Sequence, residues 1–295
     1  MERASFIKTM ALVPLIPLAL KKMNLNNLEN ITNDFPKTEK FPVLFIGHGN
    51  PMNALWDNPF TKSLNSLGNS FAVKPKAILV ISAHWLTRGS QVQVTEKPQI
   101  IYDFGGFPDE LYRVQYPAKG SPDFAEYTKQ LITSVSIAEN NSRGFDHGTW
   151  TVLMHMFQKA DIPVYQLSID AGQSPEYHYN LASELKTLRE KGVLIIGSGN
   201  IVHNLYEVDF NPNAKPADWA LEFDDIVRKR LINRSFTDLI HYEKFGSVAS
   251  LSVPTNEHYL PMLYTIGLAD TSDELTFTYE EIQNASLSMR CFKFS

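Results

Sequence analysis

The chain has 295 residues, 43% of them hydrophobic, which is enough to bury a large core in one big domain or two small ones. A net charge of −5 with scattered lysines and arginines leaves no basic surplus to neutralise phosphates, so nucleic acid is not expected as a partner. One cysteine, Cys291, excludes an intrachain disulfide and a thiolate metal cluster, so any metal must be held by nitrogen and oxygen donors, which suits iron, manganese or zinc.

The N-terminal stretch MERASFIKTMALVPLIPLALKKM carries basic residues and then an apolar run from Met10 to Leu20, too short to span a bilayer. It has the outline of a signal peptide, but Pro14 and Pro17 interrupt the run, no A-x-A type cleavage site follows, and only Arg3 stands where a twin-arginine signal has two. We expect residues 1–40 to be an extension, a degenerate signal or a packed segment, with the folded domain at residues 41–295 and the protein in the cytoplasm; export is the alternative. No linker, internal repeat or low-complexity tract divides the remainder, which predicts a single domain.

From Phe41 onward one grammar repeats. PVLFIGHGNPM (42–52) is an apolar run, Val43 to Ile46, ending in His48 between two glycines. KAILVISAHW brings a run from Ala77 to Ile81 to His84, and GVLIIGSGNIVHN brings Val193 to Ile196 through a Gly-Ser-Gly turn to His203. Continuous apolar runs of this length between helical patterns are how parallel strands buried on both faces read, and in such sheets ligands bind beyond the carboxyl ends of the strands.

The helices fall between these runs. Residues 58–67 predict a crossover helix; SPDFAEYTKQLITSVSI (121–137) opens with Ser121 as N-cap and Pro122 at the first helical position; SPEYHYNLASELKTLREKG (174–192) repeats that start with Ser174 and Pro175 and stops at Gly192. FDHGTWTVLMHMFQKA reads as a loop entering a helix, followed by the strand VYQLSI. ADWALEFDDIVRKRLINR is a charged amphipathic helix, TNEHYLPMLYTIGLA is helical with Pro261 in its first turn, and LTFTY and LSMRCFKF close the sheet. The fold class predicted is α/β: a three-layer αβα sandwich around a mainly parallel, mixed sheet.

Five of the eight histidines stand where chemistry is expected. Glycines flank His48, His84 ends a strand beside Trp85, and His147 in DHGTW sits in a loop at a helix start, with Asp146 as a turn cap. His203 follows a dinucleotide-like GSGNIV, but the third fingerprint glycine is Val202, which weakens that motif. His258 adjoins Glu257 near a helix start. His155 reads as a satisfied core or interface histidine, and His178 and His241 as solvated helix residues. A mononuclear, imidazole-rich site with open positions suits non-haem iron(II); zinc hydrolysis uses similar donors.

LFIGHGNPM, ISAHW, DHGTW, GSGNIVHNL and PTNEHYLPML, in this order and spacing, resemble the 4,5-DOPA extradiol dioxygenase group of the class III extradiol ring-cleavage dioxygenases, from about Phe41 to the C-terminus. The resemblance implies a single-domain αβα sandwich with a metal at the strand ends, and O₂-dependent cleavage of a catechol ring next to its hydroxyls to a semialdehyde. It implies His48, His84 and His258 as metal ligands, with Glu257 the alternative or a supporting carboxylate, His203 as acid/base or additional ligand, and His147 as a further catalytic histidine. Iron(II) is the implied active metal, and zinc(II) suits the same site. The competing expectations are a zinc-dependent hydrolase and a silent metal-binding protein on this fold.

Overall fold

The computed structural model of the protein describes residues 35–211 and 214–295, so the N-terminal apolar stretch lies outside the described residues. Six strands form the central sheet: β1 (Val43–Gly47), β2 (Ala77–Ser82), β3 (Val164–Gln166), β4 (Val193–Gly199), β5 (Leu275–Tyr279) and β6 (Cys291–Phe294). Their order across the sheet is β3-β2-β4-β1-β6-β5. Strands β1 to β4 are parallel, and β6 returns antiparallel to both β1 and β5. The parallel strands read as unbroken apolar runs because helices cover both faces, leaving every residue of β1, β2 and β4 buried.

The helices are α1 (Pro59–Asn69), α2 (Pro122–Leu131), α3 (His147–Met156), α4 (Pro175–Ser183), α5 (Asp218–Ile232), α6 (Phe236–Ile240), α7 (Ser247–Ser252) and α8 (Leu260–Leu268). On one face Leu44, Ile46, Val80 and Ile196 pack against Phe60 and Leu64 of α1 and Trp150 and Leu153 of α3. On the other, α8 lies directly on the sheet: Thr265 Oγ1 donates to the Leu44 carbonyl at 3.1 Å, and a Cβ at Gly197 would come within 2.4 Å of the Pro261 carbonyl. Helix α4 packs behind α8 just as closely, with Gly267 against the Tyr179 carbonyl. That packing corrects the expectation that His178 is solvated. It is fully buried, with Nδ1 3.0 Å from the Tyr264 hydroxyl, because it shares with Leu181 and Ala182 the face of α4 that packs on α8.

Several boundaries follow local chemistry that apolar patterning does not register. Asn58 forms a reciprocal capping box with Thr61, and Ser174 accepts from the Tyr177 amide, as its position predicts. Ser121 makes no side-chain cap bond. Helix α2 stops at Leu131, not near Ile137, because the Glu184 carboxylate takes the Thr133 and Ser134 amides. Residues 174–192 break after Ser183 into a 3-10 turn over Lys186–Lys191, ended by Gly192 at φ +87°. The expected strand at residues 287–294 divides, since Leu287–Ser288 pairs with Ile282–Gln283 and only Cys291–Phe294 enters the main sheet. VYQLSI divides likewise, its end (Ile169–Asp170) pairing with Leu86–Thr87.

Residues 37–295 form one compact unit. Inside it the ends of β1, β2 and β4 are level, Gly47 beside Gly199 and Ser82 beside Ser198, so the three segments that follow them leave the sheet at one place.

Candidate metal centre and substrate cavity

His48 leaves β1 with its backbone amide bonded to the Gly199 carbonyl at 3.0 Å. The flanking glycines exist because residues 288–290 pass against this turn. A Cβ at Gly47 would lie 2.7 Å from the Ser288 carbonyl, and Gly49, at φ +62°, would strike the Met289 sulfur. His84 sits in the turn after β2, its carbonyl held by Arg143 Nη2 at 3.1 Å. The buried Asp146 caps α3 through the Thr149 amide and also accepts from Ser82 Oγ at 2.6 Å and Arg143 at 2.5 Å, so the presumed turn cap anchors the His84 turn as well.

His147 is the first residue of α3, one step further into the helix than its loop-like sequence suggests. His203 follows β4, its amide bonded to the Ser252 carbonyl. His258 lies in the turn before α8, its carbonyl accepting from the Asn200 amide at 2.8 Å.

The five rings converge on one place, each in contact with at least one other. His48 and His84 approach at 3.0 Å between their Nε2 atoms, and the centroids of His48, His84 and His258 are separated by 5.0, 5.4 and 4.9 Å. His147 lies 3.9 Å from His84, centroid to centroid, and His203 stacks flat on His258 at 3.5 Å. Donor atoms cluster most tightly in two groups, His48 with His84 and His147, and His203 with Glu257 and His258. The three remaining histidines lie apart: His155 donates from Nε2 to the Asn53 carbonyl, as a satisfied core histidine should, His178 is buried beside Tyr264, and His241 is half-buried.

The hydrogen bonds define which nitrogen of each ring faces inward. Ser198 Oγ gives its proton to the Gly148 carbonyl at 2.5 Å, so toward His48 Nδ1, 3.0 Å away, it acts as acceptor. Asp103 Oδ2 accepts from His147 Nδ1 at 3.0 Å and faces His84 Nδ1 at 3.2 Å, a carboxylate contact that favours the proton on that nitrogen, and Glu257 Oε1 accepts from His258 Nδ1 at 3.0 Å. With Nδ1 protonated on all four rings, four Nε2 lone pairs are left for the interior. His258 Nε2 is buried with no hydrogen-bond partner.

Burial first, then the neighbouring imidazoles, lowers His48, His84 and His258 well below the usual histidine range and keeps them neutral. Burial likewise brings His203 to about 4 against the opposing pull of Glu257. Burial alone would raise Asp103, but its bond to His147 and the nearby imidazoles outweigh that and hold it at about 2. Neutral imidazoles with convergent lone pairs and an orphaned buried nitrogen are a donor set suited to a divalent metal.

Beside the histidines opens a cavity of about 400 Å³, walled by Phe104, Phe107, Leu205, Val208 and Phe210, with Asn50 at one side. It is large enough to admit a substituted aromatic ring, and its walls are largely apolar and aromatic. Asp103 and the aromatic loop that follows it carry no periodicity or motif in the sequence, and their role emerges only from the contact between residues 103 and 147.

The family described as the catalytic LigB subunit of aromatic ring-opening dioxygenase matches residues 42–289. A 4,5-DOPA dioxygenase extradiol of Escherichia coli K12 is 42% identical over 85% of this chain and 93% of its own length. That of Beta vulgaris is 37% identical over 86% and 96%. The crystal structure of an uncharacterized Escherichia coli K12 protein superposes with a TM-score of 0.76 at 37% identity, covering 87% of this chain and all of the other.

Proposed function

Because the chain belongs to the LigB family of aromatic ring-opening dioxygenases, we propose that it is an extradiol enzyme that opens a DOPA-like catechol beside its two hydroxyls with O₂, giving a semialdehyde. The observation that carries this is the convergence of Nε2 lone pairs next to a ring-sized aromatic cavity. His48, His84 and His258 would hold the metal, with His203 beside them as acid/base or additional ligand. Iron(II) in that set would supply the redox centre that couples catechol oxidation to O₂ reduction, whereas zinc(II), which suits the same donors, has no redox chemistry.

The chain's own residues do the rest. Phe104, Phe107 and Phe210 take the ring between them and exclude water. His203 is held by stacking, and among the described residues no carboxylate hydrogen-bonds its ring, so it can take up a phenolic proton and return it without breaking a fixed bond. His147 presents Nε2 as an acceptor for a catechol hydroxyl. Glu257 orients His258.

We further assign the chemistry to a catalytic domain at residues 41–295, which agrees with a family match beginning at residue 42, and residues 1–40 to an extension outside it. Among the described residues no helix is long and apolar enough to cross a membrane. We place the protein in the cytoplasm, acting on a small catechol and not on nucleic acid.

The test is to load the protein anaerobically with iron(II), add DOPA or a simpler catechol, and admit air. A yellow semialdehyde with one O₂ consumed per ring is expected. A dicarboxylate from cleavage between the hydroxyls would refute the extradiol assignment, and hydrolysis or metal binding without O₂ uptake would favour the hydrolase or silent alternative.

A further inference from the structure

We propose that Asp103 is a positioning residue that sets the tautomers of His84 and His147 together, so that one carboxylate orients both a metal-binding imidazole and a substrate-facing one. The inference rests on the metal assignment above. Two hydrogen bonds and a close contact meet on this side chain: Oδ1 accepts the His147 backbone N–H at 2.9 Å, Oδ2 accepts His147 Nδ1 at 3.0 Å, and His84 Nδ1 lies 3.2 Å from the same Oδ2. The two rings it serves are the most closely approached of the non-stacked pairs, at 3.9 Å.

An ionised carboxylate only accepts, so each ring must carry its proton on Nδ1 and present a lone pair on Nε2. If either ring took the other tautomer, its Nδ1 lone pair would face the carboxylate and an N–H would point into the site. At His84 that N–H would confront the metal position and His48; at His147 it would turn an acceptor for a catechol hydroxyl into a donor. A single oxygen shared by two rings makes the two choices one choice.

Asp103 also begins the loop that carries Phe104 and Phe107 into the cavity, and a purely structural role would be to pin that loop. Asp103→Asn separates the roles. The amide oxygen can keep the bond to the His147 backbone, preserving the loop, but the amide NH₂ then faces both Nδ1 atoms and favours the opposite tautomer on each.

The experiment is ¹⁵N NMR of histidine-labelled, full-length, zinc-loaded protein, which needs no turnover, with His147 assigned by its loss in His147→Gln. In the wild type His147 is expected as the Nδ1–H tautomer. In Asp103→Asn it is expected as Nε2–H, with zinc affinity roughly 10 to 100-fold weaker, the range typical for loss of a carboxylate supporting a ligand histidine. A wild-type His147 found as Nε2–H overturns the proposal even if the variant does not fold. An unchanged tautomer and zinc affinity in a folded Asp103→Asn overturns it too, leaving only the loop anchor. Neither outcome bears on ring cleavage, which fails separately if the iron-loaded wild type consumes no O₂ with any catechol.

Discussion

Replacing His48 or His84 by alanine is expected to abolish stoichiometric metal binding, because a small donor set that loses one imidazole leaves the others unable to hold the ion. His155→Gln, whose ring is bonded to Asn53 away from the site, should bind normally. The pair Glu257 and His258 gives the sharper test: Glu257 bonds Nδ1 of His258, and the opposite nitrogen faces the centre unpaired. Glu257→Gln should therefore retain metal with affinity or activity down by roughly 10 to 100-fold, and His258→Ala should lose it. Competitive metal titration measures both, and the reverse order would make the carboxylate the ligand. The five histidines that converge were singled out in the sequence because each lies within a few residues of a strand end or a helix start. The acceptors that orient them were not. Ser198 lies within an apolar strand pattern and Asp103 in an aperiodic loop, and each meets its histidine only through the fold.

Among the elements, the end of β4 is the junction that holds the site's turns in place. Gly199 accepts the His48 amide, and its neighbour Asn200 donates to the His258 carbonyl. A Cβ at Gly199 would lie 2.1 Å from that same carbonyl. Gly199→Ala should push the His258 turn away from the strand, weakening metal binding and costing roughly 1–3 kcal/mol of stability, as overpacking against backbone does. Metal titration paired with chemical denaturation checks it, and unchanged affinity would show that the turn is held elsewhere. The apolar runs of β1, β2 and β4 identified the sheet because full burial removes alternation. Helix ends and faces were harder to place: α2 is stopped by Glu184 from another helix terminus, and α4 carries a histidine on the face that α8 buries. Both are tertiary effects with no local signature.

At the scale of the whole molecule, the buried Arg189 joins parts that are distant in the chain. It donates to the carbonyls of Phe41, Leu268 and Phe294 and to Asp273 at 2.6 Å. Burial would raise Asp273, but the bonds from Arg189, the Asp270 amide and Lys40 together outweigh it and hold this carboxyl at about 2. His178 is lowered to about 4 by burial. Both groups bind a proton more readily in the unfolded chain, so their stabilising effect is complete above the unfolded values and fades as pH falls: from about 6.5 through about 4 for His178, and from about 3.8 through about 2 for Asp273. Denaturation midpoints of zinc-loaded protein should decline in both windows, and His178→Gln should lessen the decline in the upper one, to which His48, His84, His203 and His258 also contribute. Arg189→Met should cost about 3 kcal/mol, near the lower end for breaking a buried pair because Lys40 still contacts Asp273.

The strand that delivers His48 has no sequence-local neighbour. Val43 pairs with Ile195 on one side and Phe294 on the other, and the turn after it is backed by Met289. During vectorial synthesis β1 is made before both of its partners and waits, first for β4 and then for β6, with both hydrogen-bonding edges open. The turn that carries His48 is therefore complete only once β6 has joined the sheet. Until then the nascent protein depends on whatever shields an unpaired apolar strand.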